Sequence, residues 1–256
     1  MKAVCTRFYT PIQYMTSMIS LYAFLYCYNN ADIAPFVFKY WEGQADKVFV
    51  LDFGSNDNIK EECEKHSFVE FVDLSAYKDD RIKLKCLINN SVWKSTPTKP
   101  DWVFIGDFQS VLWTNNGLKN TIEKYDNFTI ISPLSLNVIS KTFPNPNSKI
   151  LLHKRKGVKV YNDEVTEHWC LFKPDSITAI NYLDFDSVIA PEGDIRKIMF
   201  ESGKLFKFNL TDLSREYAVK EEDKIRELNP VFPRNAFKMF DIKIKQSFPI
   251  KKEWLV

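Results

Sequence analysis

The sequence holds no Gly-x-Gly-x-x-Gly and no Gly-x-x-x-x-Gly-Lys. Without those phosphate-cradling loops, a dinucleotide oxidoreductase or a P-loop NTPase has nothing to grip its ligand with. Gly-x-Ser-x-Gly is missing too, which disfavours a serine hydrolase. No Cys-x-x-Cys occurs, and the 5 cysteines (Cys5, Cys27, Cys63, Cys86, Cys170) are scattered and odd in number. They read as reduced structural thiols of an intracellular, cytoplasmic protein, not as a disulfide frame or zinc site. His66, His153 and His168 form no His-x-x-x-His, so zinc lacks its ligands on that side as well.

An excess of one charge is also lacking, with 35 Lys+Arg against 33 Asp+Glu. That balance gives no electrostatic reason to propose nucleic acid as a partner. The tail from Arg234 to Lys252 is a local exception, where Arg234, Lys238, Lys243, Lys245, Lys251 and Lys252 outnumber Asp241. It reads either as a solvated surface or as a weak peripheral contact with an anionic membrane. No apolar run is long enough to span a bilayer. The stretch between Arg7 and Asp32 carries no charge, but Pro11, Gln13, Thr16, Ser17 and Ser20 interrupt it. Its most apolar part, Ile19 to Tyr28, is about half of the ~20 residues a span needs, and no small-residue cleavage pattern follows.

What is present suits one sizeable domain with a real core: 256 residues, 45% hydrophobic, with 21 Phe. Residues 1–18 are a short lead-in. Ile19 to Tyr28 reads as a buried strand. Asp32 reads as the N-cap of a helix running to about Gln44, with Phe36, Val37 and Tyr40 on one face. Lys47 to Leu51 is a second strand, Ile59 to His66 a short helix and Phe68 to Val72 a third strand. Such alternation favours a mainly parallel sheet with helices on its faces. Residues 79–95 read as a helix closed by Pro97 and Pro100. Trp102 to Ile105 is another buried strand, Gly117 to Asp126 a helix and Phe128 to Ser132 a strand. Ile150 to Leu152 and Val158 to Tyr161 read as strands of a more irregular second half. Ser214 to Leu228 is a charged helix, and Phe237 to Ile244 the last segment with an apolar pattern.

The centre of this pattern is Val48 to Asn58. Four apolar residues end in Asp52, Gly54 and a cluster of turn formers. In open α/β sheets, ligands bind beyond the carboxyl ends of the strands, which would put Asp52 and Asp57 at a binding edge.

Here a resemblance enters. Tyr28-Asn29-Asn30-Ala31-Asp32-Ile33-Ala34-Pro35 resembles the Tyr-Asn-Glu-x-Asp-Ile-x-Pro opening of family 2-like glycosyltransferases. Asp46 to Asp57 resembles that family's Asp-x-Val-x-Val-x-Asp-Asn-Gly-Ser-Thr-Asp, and Asn90-Ser91-Val92-Trp93-Lys94 its Asn-x-x-Trp-Lys. Asp101 to Asp107 is similar to the strand leading into its Asp-x-Asp motif. Phe172-Lys173-Pro174-Asp175, Asn181-Tyr182, Pro191-Glu192-Gly193 and Leu205-Phe206-Lys207-Phe208 look like its later landmarks. The resemblance covers roughly residues 19–228 and rests on shared order and spacing rather than on any single motif.

It implies an α/β fold of GT-A type: a nucleotide-sugar-binding fold with a mainly parallel central sheet flanked by helices. The implied activity is transfer of a sugar, with inversion, from a nucleotide-sugar donor to a hydroxyl of a glycan or glycoconjugate acceptor. Residues 1–113 would form the nucleotide-binding half, 114–210 the acceptor half and 211–256 a C-terminal helix and tail. Asp52 would accept hydrogen bonds from the base, Asn29 would contact ribose or base, and Asp57 would stand further along the turn. Ordinary turn chemistry is the competing reading for both acids. Asp80, Asn90 and Lys94 would lie on the helix before the Trp102 strand, with Lys94 either near a phosphate or solvated.

The departures from the family pattern carry the most information. Asp107 keeps the first position of the Asp-x-Asp motif, but Gln109 stands at the second and Ser110 follows. The landmark after Asn181-Tyr182 has Asp186 or Ser187 where the family has histidine, and a second histidine is replaced by Lys207. Mn²⁺ or Mg²⁺ wants several oxygen ligands. In one reading the enzyme uses no metal, Lys207 supplies a fixed charge near the leaving diphosphate, and Asp107 and Gln109 contact the donor. In another the fold has lost catalysis and binds a glycan or a partner. In a third, Asp107 and waters still hold a cation. A general base must reach the acceptor hydroxyl. Asp163, Glu164, Glu167, His168, Asp184 and Asp186 are the candidates, and Asp186 sits best between the landmarks.

Overall fold

Four strands form one side of the central sheet: β1 (Leu21–Cys27), β2 (Lys47–Asp52), β3 (Val69–Asp73) and β4 (Trp102–Asp107). In three of them the residues are apolar on both faces, while the fourth, β3, is a half-exposed edge. β1 and β2 read as nearly continuous buried runs, as strands covered on both faces must. In the computed structural model, which describes residues 19–77, 90–161, 170–182, 188–199, 205–210, 213–228 and residues 243, 246, 247 and 249, they belong to a seven-stranded sheet. With β6 (Ile130–Ser132), β9 (Leu171–Phe172) and β12 (Lys197–Met199), the order is β12-β6-β9-β4-β1-β2-β3. β9 runs antiparallel to both of its neighbours, and the remaining pairs are parallel. The fold is therefore mixed α/β with a mainly parallel central sheet, as the alternation of segments implies.

The chain builds outward from β1 to β2 and β3, then returns to place β4 on the other side of β1. Such a reversal opens a crevice between the loops that leave the two central strands. Tyr26 of β1 lies beside Asp107 of β4, and Cys27 beside Asp52 of β2, so both acids stand at the same carboxyl edge.

One face of the sheet is packed by α1 (Ala34–Trp41) and α2 (Ile59–Glu64). Trp41 of α1 lies over Phe104 of β4 with ring centroids 5.1 Å apart. The other face is covered, among the described residues, by Trp93 and by Ile177 and Ile180 of β10 (Ile177–Tyr182), which pairs with β11 (Val188–Gly193). A second, four-stranded sheet has the order β5-β13-β7-β8: β5 (Ser110–Trp113), β13 (Phe206–Asn209), β7 (Leu134–Ile139) and β8 (Lys159–Tyr161). β5 follows β4 after a two-residue turn, so the second sheet begins where Asp107 ends the first. Two further helices among the described residues are α3 (Leu118–Glu123) and α4 (Arg215–Leu228).

Two expectations change. Asp32 does not cap α1; Ile33 holds that position, Pro35 enters the first turn, and Asp32 instead pairs with Lys220 of α4 at 2.5 Å. Leu152–Lys154 is a short 3-10 turn where a strand over Ile150 to Leu152 is the sequence expectation. Its one-sided apolar pattern serves Leu152 and His153, both buried. The helix expected over 79–95 falls mostly outside the described residues; residues 90–91 are helical and run into a 3-10 turn at Val92–Ser95. Residues 1–18 and most of the basic tail lie outside the described residues. Cys27, Cys63 and Cys170 are free and buried, and no helix among the described residues is long and apolar enough to cross a membrane.

Candidate functional site

The loops leaving β1 and β2 are tied together by short polar side chains. The Asn29 N–H donates to Ser55 Oγ at 2.7 Å, and the Asn56 N–H donates to Asn29 Oδ1 at 2.8 Å. Asp57 accepts from the Ala31 N–H at 2.8 Å and from the Ile59 N–H at 3.3 Å. Asn29 itself takes a left-handed backbone conformation with φ 54°, which asparagine tolerates better than most residues. Asp52 is only 3% exposed. Its carboxylate accepts from the Gly54 N–H at 3.1 Å, from the Ser55 N–H at 2.9 Å and from the Ser55 hydroxyl. Gly54 makes this possible because its φ of +87° folds the chain back over the strand end. The acids expected to meet a base thus also build the turn itself.

Asp107 is different. It is exposed at the end of β4 and has no hydrogen-bond or ion-pair partner among the described residues. The turn behind it is held firmly: the Phe108 N–H donates to Tyr26 O at 2.8 Å and the Leu210 N–H to Gln109 O at 3.0 Å. Gln109 Nε2 donates to Glu221 Oε2 of α4 at 2.6 Å. Glu221 is buried and also bonded by Lys224. Burial pushes its carboxyl above the ordinary range, and the Lys224 ammonium opposes that shift. Beside it the buried Tyr217 hydroxyl faces Glu221 and Asn30.

Lys207 lies in β13, opposite Leu112 of β5 and Ser135 of β7. Alternation along the strands puts Ser110, Lys207, Asn209, Ser135 and Asn137 on one face of the second sheet, and Trp113, Phe206 and Phe208 on the other. Lys207 is 6% exposed and has no carboxylate partner among the described residues. Its charge reaches Cys170, whose thiol burial pushes up and Lys207 draws back. Cys170 O accepts from the Ile105 N–H at 2.8 Å, two residues before Asp107. The buried Ser110 hydroxyl, on the same sheet face, has no hydrogen-bond partner among the described residues. One corner therefore gathers an exposed carboxylate and, among the described residues, a buried ammonium without a counter-charge and an unsatisfied hydroxyl. Buried charges are ordinarily paired, and an anionic group would pair this one.

Asn90 and Lys94 are spent elsewhere. Asn90 Nδ2 donates to Ile180 O at 2.9 Å, and its Oδ1 accepts from the Ile180 N–H at 2.6 Å. Lys94 Nζ donates to Thr178 O at 2.7 Å. Both hold the β10–β11 hairpin against the sheet. Asp80, Asp186 and the other base candidates (Asp163, Glu164, Glu167, His168, Asp184) lie outside the described residues. Among the described residues, no group of three His, Cys, Asp or Glu side chains comes together to hold a metal ion. Among the described residues, Asp107 is the one carboxylate at this turn, and Gln109 beside it spends its Nε2 on Glu221. Sequence reasoning missed Glu221, Tyr217 and Asn30. The available signal was the polar stripe Tyr217, Glu221, Lys224 along one side of α4.

No protein-family model matches the chain, and no curated protein matches it. Solved structures do. Glucosyl-3-phosphoglycerate synthase from Mycobacterium tuberculosis, solved with Mn²⁺, UDP and glucosyl-3-phosphoglycerate, aligns at 14% identity with a TM-score of 0.31, covering 46% of this chain and 44% of that one. The same enzyme with phosphoglyceric acid aligns at 15% identity and a TM-score of 0.31, with the same coverage. HddC from Yersinia pseudotuberculosis aligns at 12% identity and a TM-score of 0.40, covering 81% of this chain and 100% of that one. The chain spans less than half the length of the synthase.

Proposed function

We propose that this chain is a GT-A-type glycosyltransferase that moves a sugar from a nucleotide-sugar donor to a glycan acceptor hydroxyl, with inversion and without a resident metal. The observation that carries the proposal is the corner formed by Asp107, Ser110 and Lys207 at the reversal point of the sheet. A nucleoside diphosphate is an anion that would satisfy Lys207 and Ser110 together. As the glycosidic bond breaks, negative charge grows on the departing diphosphate, and a fixed ammonium in a water-poor site stabilises it most at that moment. Asp107, without a partner among the described residues, would accept a hydrogen bond from a ribose or sugar hydroxyl. The loop carrying Asn29, Asp52 and Asp57 would bound the nucleotide side, in the half ending near Trp113. Asp186 is the proposed base, taking the acceptor proton as the new bond forms.

Thermal-shift titration with UDP-, GDP-, CMP- and dTDP-sugars, each with Mn²⁺ and with EDTA, tests this. A ligand of the folded state raises its stability by mass action. One nucleotide class should stabilise the protein equally in both buffers, and Lys207→Gln should remove the shift. Stabilisation confined to Mn²⁺ would restore a metal held by Asp107.

A second reading has its own observation. Asp52, Asn90 and Lys94 are all engaged with backbone groups, as in a fold kept for binding after catalysis has gone. Slow hydrolysis of a nucleotide sugar that disappears in Asp107→Ala supports the enzyme, and binding without turnover supports the binding module.

A further inference from the structure

Between Asp126 and Asp163 the chain carries no Asp or Glu, yet it carries Lys141, Lys149, Lys154, Arg155, Lys156 and Lys159. Against a net charge of +2 for the whole chain, this one stretch holds +6 and leaves the remainder acidic. The fold concentrates these charges instead of scattering them. Arg155 turns inward and braces the β7–β8 connection. Its Nε donates to Ile150 O at 2.9 Å, its Nη1 to Asn145 O at 2.7 Å, and its guanidinium lies 5.3 Å from the Phe36 ring centroid. Lys39 of α1 reaches the same connection, donating to Ser148 O at 2.6 Å. Burial, then Arg155, and after Glu42's opposing pull Lys149, act on the Lys39 ammonium, and its pKa falls as a result. Lys39, Lys149 and Arg155 therefore share one patch, with Glu42 the acid that faces it.

The braced connection holds its remaining lysines outward: Lys141, Lys149, Lys154 and Lys156 are exposed. Among them stand two large apolar side chains, Ile150 at 55% and Phe143 at 37% exposure. Phe143 is fixed from beneath by the rings of Phe36 and Tyr217, at 5.9 Å and 5.6 Å. Exposed lysines around exposed apolar side chains match a surface of anionic lipid, where ammonium groups meet headgroups and apolar side chains enter the acyl boundary. A nucleic acid would use the lysines but has no use for Ile150. We infer that the β7–β8 connection, residues 141–156 with Lys39, is a docking surface for an anionic membrane. It would hold the protein beside lipid-borne molecules whether or not the proposed transfer reaction is correct.

The test is co-sedimentation of the full chain with phosphatidylcholine vesicles and with vesicles containing phosphatidylglycerol, at about 0.1 M salt. Binding should occur only with the anionic vesicles. Lys149→Ala and Lys156→Ala should each weaken it about fivefold, and Ile150→Ser should weaken it with charge unchanged. All three sites are exposed, so thermal midpoints should match the parent chain. Absence of binding to anionic vesicles overturns the inference. So does binding that Ile150→Ser leaves intact and that duplex RNA competes away, which would mark a polyanion surface. Nucleotide-induced thermal shifts, measured on the same variants, should be unaffected, which separates this surface from the donor site.

Discussion

His153 sits in an aromatic box, 4.2 Å from the Trp113 ring centroid and 5.0 Å from that of Phe208. The Tyr40 hydroxyl accepts the His153 backbone N–H at 3.3 Å and shares a hydrogen bond with Nδ1 at 2.7 Å. Burial lowers the imidazole pKa from 6.5 to about 3, with Lys154 adding to the shift. The unfolded chain therefore takes up a proton before the folded one does. This contribution to stability is complete above pH 6.5 and is lost as pH falls toward 3. Urea unfolding should show stability dropping by about 1.4 kcal/mol per pH unit between about pH 6 and 5, and His153→Gln should flatten that slope. Asp107 belongs to the opposite kind of residue. It is exposed and supports nothing among the described residues, so Asp107→Ala should change unfolding stability by no more than about 0.5 kcal/mol while abolishing nucleotide-induced stabilisation. Asp52, one strand away, should fail the same comparison. Its removal releases the Gly54 and Ser55 donors, so binding and stability fall together.

Elements are joined here by side chains that reach backbone or cross between segments. Asn90 makes two bonds to Ile180, and Asn90→Ala should cost about 1–3 kcal/mol, with faster hydrogen exchange in the β10–β11 hairpin. Lys94→Ala, at an exposed position, should cost under about 1 kcal/mol. α4 is coupled to the Asp107 turn through Glu221 and Gln109. Glu221→Ala leaves the buried Lys224 without its partner and should cost about 3–5 kcal/mol. Gln109→Ala should cost less, and the double variant should be less destabilised than the two single losses added together, because one bond is shared. Chemical denaturation of the three variants measures this. At the same scale, local sequence misleads where a distant partner competes. Asp32 has the chemistry of a helix cap but is claimed by Lys220, nearly the whole chain away in sequence.

At the scale of the molecule, one apolar core spans both sheets. α1 makes the connection, with Trp41 on Phe104 of the large sheet and Tyr40 against Phe208 of the small one at 6.1 Å. Trp41→Ala should therefore cost about 3–5 kcal/mol. Unfolding should remain a single transition, with far-ultraviolet and near-ultraviolet circular dichroism curves coinciding. Two separate transitions would mean that the sheets are independent units.

The strands β1, β2 and β4, and the acids that end two of them, are legible in the linear chain because apolar runs and turn formers act over a few residues. So is the strand and helix alternation that implies a mainly parallel sheet. What the linear chain does not contain is which of those polar groups will be left over. Asp52, Asp57, Asn90 and Lys94 look as suitable for a ligand as Asp107 does. Only the folded chain brings Gly54, Ala31, Ile180 and Thr178 to the first four and leaves Asp107 exposed. Likewise, Lys207 reads as one departure from a motif until the second sheet buries it beside Ser110 with no carboxylate at hand among the described residues. Hydrogen bonding saturates, and each donor or acceptor can be spent once. Residue types state what could bind, and tertiary contacts decide what remains free to do so.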